Sequence, residues 1–249
     1  MISGPPKNPA ISIIIPTLEE EKEIVSSLSQ FTPELRKKFG LEIIVSDGGS
    51  KDRTCEIARE HADIVISPEQ PEVQTIATGR NRGAKAARGE VLMFFNADVR
   101  LNRPETFIQT MLDVLATGSV AAATCNVLVN PEEETTADRI FHAGFNRYCR
   151  FLNFAGMGMG RGECHVVPRA VFDRAGGYNE QIVAGEDYEL FLRLRRQGSI
   201  AFVSSLTVFE SPRRFRAFGY TRIALLWFLN GVSVFLFRRS LSKSWIPIR

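Results

Sequence analysis

The sequence predicts an α/β protein built on a mainly parallel sheet, and three observations carry that prediction. Short apolar runs alternate with stretches of helical spacing, the pattern of strands and covering helices. The second apolar run follows the first by about 30 residues, the length of a βαβ unit. A third run, Val91-Leu92-Met93-Phe94-Phe95, leads into Asn96-Ala97-Asp98. A buried strand that ends near an acid sets a carboxylate at the carboxyl edge of the sheet, where open α/β folds bind ligands, and this points to a nucleotide and a cation.

Ile11 to Ile15 reads as a buried strand stopped by Pro16. Glu19 to Gln30 reads as a helix, with Ile24, Val25, Leu28 and Phe31 at helical spacing and Glu19, Glu20, Glu21 and Glu23 at a start that favours negative charge. Leu41 to Val45 is the second strand. Asp52 to His61 is a short helix capped by Ser50 or Asp52, followed by strands at Ile64–Ile66 and Glu90–Phe95. Pro104 to Thr117 is helical, Val120 to Val129 is β-like and ends at Asn130-Pro131, and Glu132 to Tyr148 is helical again. Glycines at 156, 158, 160 and 162 mark a mobile loop.

A length of 249 residues with 44% hydrophobic content suffices for one large domain, or a domain plus an appendage. The net charge is only +3, but arginines crowd the second half, among them Arg193, Arg195, Arg196, Arg213, Arg214, Arg216, Arg222, Arg238 and Arg239. A local basic field suits phosphates or an anionic membrane surface rather than nucleic acid. Cys55, Cys125, Cys149 and Cys164 lack CxxC spacing and read as reduced thiols of a cytosolic protein. The start, with Pro5, Pro6 and Pro9, lacks the pattern of a signal peptide.

Ser46-Asp47-Gly48-Gly49-Ser50 follows the second strand directly. Asp47 is there either as a ligand carboxylate or as the acid of an ordinary tight turn. Asp98 is either a strand-end turn residue or the single carboxylate that, with substrate oxygens, holds a hard divalent cation. Gly79-Arg80-Asn81-Arg82-Gly83 reads as a loop that is neither a Walker loop nor a Rossmann fingerprint. His61, His142 and His165 have no shared ligand spacing and read as structural.

Taken in order, Ile13-Ile14-Ile15-Pro16-Thr17-Leu18-Glu19, Ile43-Ile44-Val45-Ser46-Asp47-Gly48-Gly49-Ser50, Gly79-Arg80-Asn81-Arg82-Gly83-Ala84 and Phe95-Asn96-Ala97-Asp98 resemble the nucleotide-sugar half of a family 2 glycosyltransferase of the GT-A fold. The resemblance runs over roughly residues 11 to 215. It implies that Pro16, Thr17 and Glu19 line the base and ribose pocket, that Asp47 contacts the base and that Arg80 lies near the diphosphate. It makes Asp98 the ligand of a manganese or magnesium ion, with Asn96 replacing the first acid of the Asp-x-Asp motif. Gly176-Gly177-Tyr178 and Gly185-Glu186-Asp187-Tyr188 continue it. By the same resemblance Asp187 takes the proton from the acceptor hydroxyl with Glu186 beside it, the sugar is transferred with inversion, and Met157 to Gly162 forms an acceptor-side lid. Arg213 and Arg214, in Ser211-Pro212-Arg213-Arg214-Phe215, would contact the diphosphate or the acceptor, or else form a solvated or juxtamembrane basic cluster.

The residues around Asp187 also speak for themselves. Gly185 precedes a helix whose Leu190, Phe191 and Leu194 form a buried stripe, so Glu186 and Asp187 fall in its first turn, where the helix favours an ionised carboxylate. Ile223 to Phe237 is apolar apart from Asn230, Gly231 and Ser233, and is flanked by Arg222, Arg238 and Arg239. At about 15 residues it is shorter than the ~20 of a bilayer span. It fits either a membrane-surface segment or a buried or dimer-forming helix. The expected organisation is a glycosyltransferase domain over 1–215 and a helical segment over 216–249, in a protein that is cytoplasmic or peripheral on the cytoplasmic membrane face. Its partners are a nucleotide-sugar donor and an acceptor that is lipid-linked or a cell-envelope precursor. A nucleotidyltransferase and a catalytically idle sugar-nucleotide-binding scaffold are the alternatives.

Overall fold

The computed structural model describes residues 8–68 and 75–242; Pro5, Pro6 and the outer ends of both expected domains lie outside the described residues. The chain runs β1 (Ile11–Thr17), α1 (Ile24–Ser29), α2 (Pro33–Phe39), β2 (Leu41–Asp47), α3 (Thr54–His61), β3 (Ile64–Ile66), α4 (Ile76–Ala86), β4 (Val91–Phe94), β5 (Arg100–Leu101), α5 (Pro104–Leu115) and β6 (Val120–Val129). It continues through α6 (Thr136–Phe154), β7 (His165–Pro168), α7 (Arg169–Ala175), α8 (Glu186–Leu194), β8 (Ser199–Glu210), α9 (Arg213–Phe218) and α10 (Tyr220–Phe237).

The strands join in the order β3-β2-β1-β4-β7-β6-β8-β5. β3, β2, β1 and β4 run parallel to one another, as do β6 and β8, whereas β7 runs antiparallel to both β4 and β6, and β5 antiparallel to β8. β1 is flanked by β2 on one side and β4 on the other, so the chain switches direction beside it and a crevice opens at the carboxyl ends. Thr17 pairs with Asp47 at the end of that ladder. β1 and β2 are buried on both faces, which explains their unbroken apolar runs.

Several elements differ from the expectation, each for a local reason. The helix predicted from Glu19 begins only at Ile24, because Glu19 takes a left-handed φ of 58° and the next amides bond elsewhere. The Glu19, Glu20 and Glu21 amides donate to Ser50 Oγ (2.7 Å), Thr54 Oγ1 (2.7 Å) and Asp52 Oδ2 (3.2 Å), lacing the loop after β1 to the loop after β2. The acids therefore do not cap a helix. α2 was not anticipated, although Thr32 as an N-cap, Pro33 in the first turn and the left-handed Gly40 at the end mark it. The helix expected at 132–148 runs instead from Thr136 to Phe154, started by a Thr135/Asp138 capping box.

The Gly79–Gly83 stretch read as a loop is the middle of α4. Its glycines are four residues apart and face the sheet. A Cβ at Gly83 would lie 2.5 Å from Ile14 Cγ2, and one at Gly79 3.2 Å from Pro16 Cβ. Their absent side chains let α4 rest against β1 and bring Arg80 to the end of the sheet. The 156–162 stretch is likewise packed rather than loose, since a Cβ on Gly160 would meet the Phe191 ring at 2.3 Å.

α10 inverts the usual pattern. Beyond its first turn its polar residues face the protein: Asn230 is 2% exposed and accepts from the amides of Leu241 and Ser242, and Ser233 Oγ donates to the Arg239 carbonyl. Leu225, Phe228, Phe235, Leu236 and Phe237 face outward, each more than half exposed. The helix is thus not a buried core element, and by length and composition it could cross a membrane. Gly83→Val should lower unfolding free energy by about 1–3 kcal/mol through overpacking against Ile14, read from the denaturation midpoint at unchanged m-value.

Candidate active site

A cleft at the carboxyl edge is walled by Arg80 of α4, Asn96 after β4, Arg161, Gly162 and Glu163 before β7, Glu186, Asp187 and Tyr188 of α8, and Phe145, Trp227 and Asn230 from α6 and α10. Its organising group is Arg80, wholly buried. One guanidinium nitrogen donates to Glu186 Oε1 at 2.8 Å, and the other to Asn96 Oδ1 at 3.0 Å and the Gly162 carbonyl at 2.7 Å. The guanidinium also lies 5.2 Å from the centre of the Tyr178 ring. Asn96, the residue replacing an acid, therefore spends its side-chain oxygen on Arg80.

Glu186 and Asp187 are separated in role by this pairing. Glu186 is buried against Arg80, whereas Asp187 has one carboxylate oxygen on the Tyr188 amide (2.9 Å) and lines the cleft. Burial pushes Asp187 well above the usual aspartate range, and the charge of Glu186 adds to that push while Arg80 opposes it. A carboxylate made more basic and left unpaired is suited to accept a proton. Glu163 faces the same space and is held by Arg161 at 3.2 Å.

The predicted nucleotide-side residues lie along the laced loops. Asp47 is 1% exposed and accepts four bonds, from Thr17 Oγ1 (3.0 Å), Ser50 Oγ (2.6 Å) and the amides of Gly49 and Ser50 (2.8 Å each). That set fills a carboxylate's capacity and makes Asp47 the organiser of the turn. Glu19 accepts from the Lys51 amide at 3.1 Å, and Pro16 packs under α4. Asp98 sits just beyond, with Arg213 joining its Oδ2 (3.3 Å) to Glu20 (2.7 Å). Burial raises the Asp98 pKa, with Arg213 pulling the other way. Arg214 is next to Arg213, and burial lowers its pKa.

Asp98 fits the expected cation as a single carboxylate completed by substrate oxygens, the manner in which magnesium is commonly held. Among the described residues no three His, Cys, Asp or Glu groups converge on one metal-sized point. His165 and His142 are buried and held neutral, His142 pushed down to about 3 chiefly by burial; His165 meets the Tyr178 hydroxyl at 2.7 Å.

Sequence reasoning missed several of the cleft's parts. Arg161, 2% exposed, binds Glu210 at 2.7 Å and lies 5.1 Å from the Phe145 ring centre. Tyr178 supports Arg80 from below, and Phe145 and Trp227 close the far wall. Tyr178 was marked only as part of the Gly176-Gly177-Tyr178 motif and Trp227 only as part of an apolar stripe, and neither signal said what the side chain would face.

The switch-point crevice, with an acid-bearing helix terminus facing it, defines a GT-A architecture. In agreement, the mannosyltransferase PcManGT from Pyrobaculum calidifontis, solved with GDP-Man and Mn2+, superposes with a TM-score of 0.64 at 20% identity, over 84% of this chain and 58% of that one. A family-wide sequence profile described as Glycosyl transferase family 2 matches residues 12–176, and the chain belongs to that family. It is 32% identical over 138 residues to the 4,4'-diaponeurosporenoate glycosyltransferase of Staphylococcus haemolyticus, covering 51% of this chain and 35% of that protein. It is 27% identical over 154 residues to the dolichyl-phosphate beta-glucosyltransferase of Mus musculus, covering 55% of this chain and 47% of that protein. These alignments thus span between a third and a half of each curated relative.

Arg80→Met should destabilise the fold by about 3–5 kcal/mol by stranding the buried Glu186 charge, and adding Glu186→Gln should restore part of the loss in a denaturation double-mutant cycle. Because the folded pKa of Asp187 is raised, the folded state binds its proton more tightly than the unfolded chain. Stability from this group is therefore lost as pH climbs from the unfolded value, about 3.9, towards the folded one. Asp187→Asn should gain stability relative to the unsubstituted protein across that window, measured by urea melts at stepped pH.

Proposed function

We propose that the chain is an inverting glycosyltransferase that moves a sugar from a nucleoside-diphosphate donor to the hydroxyl of a lipid-linked acceptor. The observation that carries this reading is the unpaired, basicity-raised Asp187 in the cleft organised by Arg80 at the sheet's carboxyl edge. The nucleoside lies along Pro16, Thr17, Glu19 and the Asp47 turn. The diphosphate extends toward Asp98, Arg213 and Arg214, the arginines meeting its negative charge. Such a donor requires Arg213 to share or release its bond to Asp98.

Asp187 takes the proton of the acceptor hydroxyl as its oxygen attacks the anomeric carbon from the face opposite the diphosphate. The bond to the diphosphate oxygen breaks, and the configuration inverts. A divalent cation held by Asp98 and the diphosphate, manganese or magnesium, would neutralise charge on the leaving group. Glu186 and Arg80 act behind Asp187: their pairing fixes the start of α8, and the charge of Glu186 raises the basicity of the Asp187 carboxylate while Arg80 tempers it.

The relatives named for dolichyl phosphate and diaponeurosporenoate support an apolar acceptor, as does the outward apolar face of α10. In this reading residues 1–215 form the transferase domain and 216–249 a segment that rests on the cytoplasmic membrane face.

Calorimetric titration with a panel of nucleoside diphosphates and their sugar conjugates, with and without manganese, tests the reading. One sugar nucleotide should bind in a metal-dependent way, and no binding to any would overturn it. Asp187→Asn should lower transfer by about 10²–10⁴-fold with donor affinity nearly unchanged. Asp98→Ala should weaken manganese-dependent donor binding by about tenfold or more, roughly 1.4 kcal/mol.

A further inference from the structure

An apolar groove of about 410 Å3 adjoins the cleft. Tyr148 and Leu152 of α6, Leu192 of α8, and Phe228, Val232 and Phe235 of α10 form its walls. Phe145, Tyr188 and Trp227 belong to both spaces, so groove and cleft meet there, one residue from Asp187. Phe228 and Phe235 are 60% and 55% exposed, which puts the mouth of the groove on the outward face of α10.

We infer that this groove holds the hydrocarbon tail of the acceptor, a membrane lipid whose head group passes between Tyr188 and Trp227 to reach Asp187. The inference rests on the glycosyltransferase reading and adds the place and chemistry of acceptor capture. Continuity with the cleft is the first argument: a chain lying in the groove has its polar end delivered to the base. The inverted pattern of α10 is the second. Asn230 and Ser233 are turned inward onto the 239–242 chain, so that beyond the first turn the outward side chains of α10 are apolar. Such a surface suits contact with hydrocarbon, where lipid tails are found. Charge is the third, because Arg222, Arg238 and Arg239 are exposed at the two ends of α10 and match an anionic head-group layer. A sugar or peptide in the groove would leave hydroxyls or amides unpaired against these walls, which disfavours a fully polar acceptor.

The test uses the full chain and a series of dansyl-tagged n-alkyl carboxylates of 6, 12 and 18 carbons, kept below their micelle concentrations and titrated by fluorescence. Affinity should rise at least about tenfold from the shortest tail to the middle one and then level as the groove fills. Ala224→Trp and Val232→Trp, which fill the groove, should each weaken the 12-carbon probe at least about tenfold while calorimetric donor binding stays unchanged. Equal affinity across tail lengths overturns the inference, as does equal probe binding by donor-competent variants. Binding to phosphatidylcholine/phosphatidylglycerol vesicles that is unaltered in both variants, with no probe binding, would assign α10 to surface association alone and also overturn it. A dimer by sedimentation that excludes the probe would assign the groove to a second copy. Loss of donor binding in the unsubstituted protein is a separate failure, of the glycosyltransferase reading itself.

Discussion

The guanidinium of Arg80 holds in place three pieces of chain that would otherwise have no reason to meet. It bonds Asn96 at the end of β4, the Gly162 carbonyl ahead of β7, and Glu186 at the start of α8, while Tyr178 lies against its face. A buried cation with fixed, planar donors imposes distances as well as charge. The pairing consumes one of the two acids at the start of α8 and leaves the other facing the cleft. The two neighbouring carboxylates differ in chemistry because only one of them faces Arg80. This arrangement depends in turn on Gly79 and Gly83, whose missing side chains let α4 approach β1 closely enough to deliver the arginine.

The opposite half of the site is built differently. It has no central cation. Three consecutive backbone amides, at Glu19, Glu20 and Glu21, are satisfied by side chains from the loop after β2 and the first residue of α3, and Asp47 ties that loop to Thr17. Two strand-end loops thus form one ledge laced by internal hydrogen bonds, with Glu21, Gly49, Lys51 and Arg53 exposed along it. Such a ledge can present a flat, preorganised surface to a ligand without spending its buried acid on the ligand. Arg213, reaching across to Glu20 and Asp98, joins the ledge to the C-terminal part of the chain.

That C-terminal part closes the cleft from the other side. Phe145 of α6 and Trp227 of α10 stack around the buried Arg161, whose guanidinium is neutralised by Glu163 and Glu210. The same two aromatic residues separate the polar cleft from the apolar groove. The wall of the site and the apolar outer surface are therefore two faces of one helix pair, and a change in how α10 packs would be felt at Asp187 through Tyr188.

The parallel core and the candidate acids are legible in the sequence. Both follow from local rules: apolar runs of strand length, turn residues at strand ends, and a glycine before an acid-led helix. Residues 11–15, 41–45 and 91–94 were legible because a strand buried on both faces admits almost no polar residue. Asp98 stood out because it follows such a strand, and Asp187 because it opens a helix preceded by a glycine. Which partner each buried charge meets depends on the packed fold. Nothing local distinguishes Glu186 from Asp187 or shows that Asn96 is held by Arg80, because the Arg80 pairings join residues 16 and 106 positions apart, and the Thr17 bond that completes the Asp47 turn spans 30. The Gly79–Gly83 helix was read as a loop because glycine disfavours helix locally, and only packing on Ile14 repays that preference. The face of α10 was undecidable for the same reason: composition gives the apolar content of a helix, whereas the direction in which Asn230 and Ser233 point is set by the chain that folds back against them.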